Sequence, residues 1–238
     1  YDSVHHATEA KACKPPAELT SIAQVMEYDA VAWVRTLQWL DTQLKANTPI
    51  TELDFQATLL AFKKQHPCYL GESFAPIVAY GAHGAIVHYE ATRQSNAPIL
   101  PQGFLLVDAG SHYTYGTTDV TRTICCGMLT AKQKQVYTAV LQGMIAMARA
   151  QFTTQTPSTY LDKLARAPLN ALQLQYGHGT GHGIGTVLSV HERGVRISPA
   201  CVKPLQVGMV LSDEPGCYLK DHFGVRIENM LAVQEAAC

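Results

Sequence analysis

Five residues with metal-ligating chemistry stand at predicted strand ends or in glycine-flanked turns of this 238-residue chain. They are Asp108 in Val107-Asp108-Ala109-Gly110, Asp119 in Gly116-Thr117-Thr118-Asp119, His182 in Gly181-His182-Gly183, Glu214 in Asp213-Glu214-Pro215-Gly216 and Glu228 in Arg226-Ile227-Glu228-Asn229. Four carboxylates and one imidazole form a hard, oxygen-rich set. Such a set suits Mn²⁺, with Co²⁺ or Zn²⁺ as alternatives, and shared carboxylates hold two ions about 3.5 Å apart. Without cations, converging carboxylates repel and take up protons, so the set is costly unless filled, and no other nearby residue is expected to neutralise it. Taken singly, each has a plainer reading: an Asp before Ala-Gly forms turns, Thr-Thr-Asp caps, and Glu-Pro-Gly is loop. The run Gly177-His178-Gly179-Thr180-Gly181-His182-Gly183-Ile184-Gly185 is more specific. So many glycines do not rest in a helix, and they let backbone and imidazoles crowd a reacting centre. Phosphate binding is the weaker alternative, because the run lacks the GxxxxGK(S/T) lysine and does not fit GxGxxG.

These residues need elements to position them. Apolar residues recur at Leu19, Ile22, Met26, Ala30, Trp33, Leu37, Leu40 and Leu44 in steps of three and four, which predicts a long amphipathic helix after Pro15-Pro16. Thr48-Pro49 ends it. Thr51 caps a second helix through Phe55, Leu59 and Phe62, and His66-Pro67 closes that one. Extended segments are predicted at 74–80, 104–108 and 119–126. A third helix spans 130–152, and a fourth starts near Ser158 and is interrupted by Pro168. Strands follow at 186–190, 209–213 and 225–233. Two helices then strands, given twice with a break near Gly127, predict an α+β fold. Its two similar halves, roughly 15–127 and 128–235, pack into one domain.

Composition removes other function classes. Lys and Arg number 18 against 19 acidic residues with no long run of either sign, so neither nucleic acid nor a polybasic membrane contact is indicated. No apolar stretch approaches the roughly 20 residues that span a bilayer. Cys13, Cys68, Cys125, Cys126, Cys201, Cys217 and Cys238 form no CxxC pair, which predicts free thiols in a reducing, cytoplasmic setting. Because the chain starts at Tyr1, it is read as a piece of something longer.

The sequence resembles the M24, or pita-bread, metallopeptidases, and within them the aminopeptidase P branch. The resemblance runs from Lys14-Pro15 to Val233. It is carried by the 116–123 segment Gly-Thr-Thr-Asp-Val-Thr-Arg-Thr, the Gly-His-Gly run, Val190-His191-Glu192, Ser212-Asp213-Glu214-Pro215-Gly216 and the 224–229 segment Gly-Val-Arg-Ile-Glu-Asn. Methionine aminopeptidase, prolidase and creatinase share the fold, and the fourteen-residue step from Glu214 to Glu228 looks like the larger cytosolic aminopeptidase P type. The resemblance implies a pita-bread fold of two pseudo-symmetric helix-helix-strand halves. It implies two divalent cations on Asp108, Asp119, His182, Glu214 and Glu228, with Asp119 and Glu228 bridging. It makes His88, His178 and His191 the catalytic or substrate-binding imidazoles, and Arg226 a structural partner for the acidic ligands. The implied reaction is attack by a metal-bridging hydroxide on an Xaa-Pro bond at a free peptide amino terminus, by an assembly that allows a homodimer and lacks the amino-terminal domains of longer relatives. Cys217, Arg193-Gly194 and Asn170 depart from the family pattern and bear on the substrate cleft. The alternatives are a prolidase-like Xaa-Pro dipeptidase and a metal-free binding module of the same fold.

Overall fold

The computed structural model describes residues 6–236. A short helix α1 (His6–Ala12), not anticipated from sequence, precedes α2 (Pro16–Lys45), which starts with Pro at its first position, where a missing N–H costs nothing. The helix α3 (Glu52–Lys63) opens on a capping box: the Thr51 side chain accepts from Asp54 N, and Asp54 accepts from Thr51 N. Then come β1 (Tyr69–Glu72), β2 (Ile77–Tyr80), a 3-10 turn (Gly81–Ala85), β3 (Phe104–Asp108), β4 (Ser111–Tyr113), β5 (Gly116–Thr117) and β6 (Thr121–Cys125). After α4 (Ala131–Ala148) and α5 (Thr159–Ala171) the chain forms β7 (Gly181–Ile184), β8 (His191–Ile197), β9 (Val210–Asp213), β10 (Gly216–Leu219), β11 (Phe223–Arg226) and β12 (Asn229–Ala232). This is an α+β architecture in which a helix pair precedes strands twice.

Two antiparallel sheets position the site, one of order β2-β3-β6 and one of order β12-β9-β7-β8. Strand β3 is buried throughout, and its side chains alternate. Leu105 and Val107 pack on Trp33, Leu40, Phe55 and Leu59 of α2 and α3, while Phe104 joins Val136 and Val140 of α4 and Val225 of β11. Each such apolar side chain contributes roughly 1.5–3 kcal/mol by leaving water. A third cluster joins Leu161 and Ala165 of α5 to Ile197 and Leu211 of the second sheet and to Met209, just before β9.

Several expectations change. The predicted strand at 186–190 is a loop, and strands lie on either side of it. Part of the glycine run is itself β7, wedged between β8 and β9 so tightly that a Cβ on Gly181 would lie 2.1 Å from Ser212 O. The run marks close backbone packing, which alternation rules do not detect. The 225–233 segment is two strands in different sheets, with Ile227 and Glu228 between them. Helix α5 continues past Pro168 to Ala171, because its buried face of Leu161, Ala165 and Leu169 holds it across the one lost ladder bond. Helix α4 ends at Ala148, short of the predicted 152. The cysteines among the described residues are all free thiols, and none of the described helices is long and apolar enough to cross a membrane. Cys238 lies outside the described residues.

Candidate metal centre

Asp108 closes β3, and its pairing with Thr121 of β6 brings in Asp119, which lies just before that strand. His182 is the second residue of β7, Glu214 follows the last residue of β9, and Glu228 occupies the break between β11 and β12. Asp213 pairs with Asn229, which seats Glu214 and Glu228 side by side. All five line one cleft of about 620 Å³, together with His88, His178 and His191. The sequence-predicted residues are therefore gathered at a single place.

Within the cleft, Asp119, His182 and Glu228 offer ligand atoms that all lie within 4.8 Å of one another. His182 Nδ1 donates to Gly183 O at 2.9 Å, which leaves Nε2 aimed at Asp119 Oδ2, 3.3 Å away, and Glu214 Oε1, 3.5 Å away. A lone pair facing two carboxylates is satisfied by a proton or by a cation. Asp108 Oδ2 accepts from Arg226 Nη2 at 2.7 Å and Nε at 3.2 Å, while its Oδ1 is buried without a hydrogen-bond partner. Glu228 Oε2 accepts from Thr121 Oγ1 at 2.7 Å, and Ser212 Oγ donates to Glu214 Oε1 at 3.1 Å. Each carboxylate thus keeps acceptor capacity for a further partner. The donor set fits divalent cations.

Electrostatics point the same way. Burial, followed by Asp119, Asp108 and Glu214, holds the Glu228 carboxyl well above the usual range. Burial lifts Glu214 to about 7, with Asp108 and Asp119 adding to the rise against His182. Asp119 is raised by burial too. Burial alone would lower His182, but Asp119 and Glu214 outweigh it and raise that imidazole. Asp213, fully buried with neither carboxylate oxygen hydrogen-bonded, is pushed by burial and by Glu214 to about 8. The expectation that nothing neutralises these charges is corrected in part. Arg226, only 2 % exposed, is a buried cation paired with Asp108, one charge against four carboxylates.

The three histidines differ. His178 Nδ1 donates to Gly179 O at 2.7 Å, so its Nε2 accepts from Tyr218 OH at 2.8 Å, and that hydroxyl accepts from Arg226 Nη1 at 2.8 Å. Both nitrogens are engaged, and burial lowers this imidazole to about 4, which keeps it neutral. His191 and His88 are exposed on the cleft. The His191 ring sits 4.1 Å from that of His182.

The model of Metallopeptidase family M24 matches residues 20–235. The chain belongs to metallopeptidase family M24. It is 41% identical over 229 residues to Aminopeptidase P2 of Arabidopsis thaliana, covering 95% of this chain and 32% of that protein. The chain thus spans about a third of the length of the curated relatives it matches. Its structure superposes with a TM-score of 0.92 and 35% identity on X-prolyl aminopeptidase from Caenorhabditis elegans, described as a cytosolic enzyme with a di-nuclear active site, covering 96% of this chain and 37% of that one. Prolidase from Pyrococcus furiosus gives a TM-score of 0.84 at 26% identity, covering 97% and 65%. The fold is therefore the pita-bread fold of these M24 proteins.

In this M24 chain, sequence reasoning missed the groups that hold the histidine-bearing segments. Tyr218 carries no local signal beyond lying four residues after Glu214. Arg166 of α5 clamps the glycine run, donating to Tyr176 O at 2.8 Å and His178 O at 2.7 Å while its Nε lies 2.9 Å from Asp162 Oδ2. Asp162 Oδ1 in turn accepts from Thr180 Oγ1 at 2.6 Å. An Asp and an Arg four apart on a helix read as a surface pair until the glycine run is seen against them.

Proposed function

We propose that this chain is the catalytic core of an Xaa-Pro aminopeptidase, releasing the first residue of peptides whose second residue is proline. The supporting observation is the convergence of four carboxylates and His182 Nε2 on one cleft, in a chain related to aminopeptidases P across 95% of its length. Asp108, Asp119, His182, Glu214 and Glu228 would hold two divalent cations, Mn²⁺ being suited to so many oxygens, with Asp119 and Glu228 shared between them. Such cations, when bound, lower the pKa of a water and polarise the scissile carbonyl.

The chain's own groups supply the rest. The peptide's free amino group, as the neutral amine, would be held at the cation site, and so would set which bond lies over the reacting centre. His88 and His191, both open to the cleft, donate to the developing oxyanion and to the departing proline nitrogen. That nitrogen carries no hydrogen in the substrate, so the side where it leaves favours a donor and discriminates against an ordinary amide. His178, engaged at both nitrogens, instead holds Tyr218, which meets Arg226 and through it Asp108. A cytoplasmic setting, where free thiols persist, fits the reading.

The test is a peptide panel of Arg-Pro-Pro, Arg-Ala-Ala, acetylated Arg-Pro-Pro and Arg-Pro, each with and without Mn²⁺. Cleavage of Arg-Pro-Pro alone among the tripeptides, dependent on Mn²⁺, is the expected outcome. Equal cleavage of Arg-Ala-Ala would remove the proline requirement. Cleavage of Arg-Pro only would make the chain prolidase-like, and no metal uptake with no cleavage would make it a binding module.

A further inference from the structure

Glu52 is an acidic side chain, 0 % exposed and far along the chain from the ligand set. Its carboxylate accepts four hydrogen bonds, two at each oxygen. Oε1 accepts from Tyr80 N at 2.7 Å and His83 Nδ1 at 2.8 Å, and Oε2 from Tyr89 OH and Ala97 N, each at 2.9 Å. None of the four donors belongs to α3, the helix that Glu52 begins. All lie in the 80–97 segment, which runs from the last residue of β2 through one short 3-10 turn and carries His88. Further bonds from the start of α3 tie down the segment's far end: Glu52 N to Ala97 O at 3.1 Å and Leu53 N to Asn96 Oδ1 at 3.1 Å.

We infer that Glu52 is a positioning residue for His88, setting the 80–97 segment so that this imidazole stands in the cleft; the inference rests on the reading of His88 as a substrate-facing group. His88 is the immediate neighbour of Tyr89, whose hydroxyl is bound by Glu52 and whose ring stacks on His83 at 4.3 Å. On its other flank the segment touches β11, backbone to backbone: a Cβ on Gly224 would lie 1.7 Å from Gly84 O. A buried carboxylate is a costly filler where apolar packing would serve. What it supplies is acceptors only, in fixed directions, matched to donors spread along the segment from Tyr80 to Ala97. Glutamine would turn an NH₂ group toward two of those donors and displace part of the segment. Displacement of a reacting group by about 1 Å costs on the order of 100-fold.

The experiment is a double-mutant cycle on the Mn²⁺-loaded protein with Arg-Pro-Pro: wild type, Glu52→Gln, His88→Ala and both together. Glu52→Gln should lower kcat by roughly 10- to 100-fold, with KM and Mn²⁺ content within about twofold of wild type. In the His88→Ala background the same change should add no more than about twofold, because its effect passes through an imidazole already removed. Tyr89→Phe, which removes one donor and leaves the carboxylate, should give a smaller loss with the same coupling, and it carries the test if Glu52→Gln does not fold. Independent of turnover, hydrogen exchange at the Tyr80 and Ala97 amides should accelerate in Glu52→Gln, and the His88 imidazole NMR signal should shift. Additive losses, or unchanged exchange and an unmoved His88 signal, overturn the positioning role and leave the reading of His88 standing. Wild-type kcat in His88→Ala overturns it from the other side, by taking His88 out of the reaction.

Discussion

Glu228 is 1 % exposed, and it shares its pocket with three other carboxylates, so its charge is opposed by burial and repulsion unless a cation answers it. Glu228→Gln keeps the volume and the acceptor that Thr121 Oγ1 uses, and it removes the charge. Turnover of Arg-Pro-Pro should fall roughly 100-fold or more, with Mn²⁺ content falling in elemental analysis. The melting temperature of the metal-free protein should hold or rise, since neutral Gln relieves repulsion that the native carboxylate suffers. Full activity at saturating Mn²⁺ would take Glu228 out of the ligand set.

Strand β7 shows how an element, rather than a residue, places a ligand. His182 hangs from a strand whose neighbour β9 delivers Glu214, and Glu214 N donates to Thr180 O at 2.9 Å across the join. A Cβ on Gly181 would meet Ser212 O at 2.1 Å, so Gly181→Ala must part β7 from β9 and draw His182 away from Glu214. Isothermal titration should register a loss of Mn²⁺ affinity of roughly 10- to 100-fold, with destabilisation of about 1–3 kcal/mol in denaturant. Gly177, in the same run, has nothing within 4 Å of an added Cβ. Gly177→Ala should therefore stay within about 0.5 kcal/mol of the parent. Equal losses in the two variants would mean that the run acts through flexibility and not through packing.

At the scale of the molecule the site is a seam. Asp108 and Asp119 come from the first sheet and His182 and Glu214 from the second, while Glu228 is sewn to the first by its amide, which donates to Thr121 O at 3.1 Å, and by its carbonyl, which accepts from Arg122 Nη1 at 2.6 Å. Cation binding therefore couples to the stability of the whole, and the sign with pH follows from the shifts. Glu214 moves from 4.5 to about 7 on folding, so across that window the folded metal-free chain holds a proton that the unfolded chain has released, and stability falls as pH rises. His182, raised from 6.5, contributes stability at low pH that is likewise lost as pH rises through its folded value. A bound cation displaces these protons and relieves the repulsion. The rise in melting temperature on adding Mn²⁺ to EDTA-treated protein should be larger at pH 8 than at pH 5.5. Equal increments at both would show that these carboxylates are not what the cation meets.

Some of this was legible in the sequence. Side-chain spacing along one face determines α2, Thr51 with Asp54 determines where α3 starts, and the ligand types are set by the residues themselves, because each of these signals lies within a few positions of its effect. Other decisions belong to tertiary structure. Whether a glycine run is a loop or a central strand depends on what packs opposite, here Ser212 O against Gly181. Which of the acidic ligands the expected partner Arg226 meets, here Asp108, and that Thr121 bonds Glu228 depend on partners more than 100 positions apart, brought together by sheet pairing. Glu52 reads locally as an acidic residue in a helix's first turn, and only folding reveals four donors around it. The physical reason is one of range: helix periodicity and caps are short-range properties of the chain, whereas the approach of buried charges is set by pairings between distant segments.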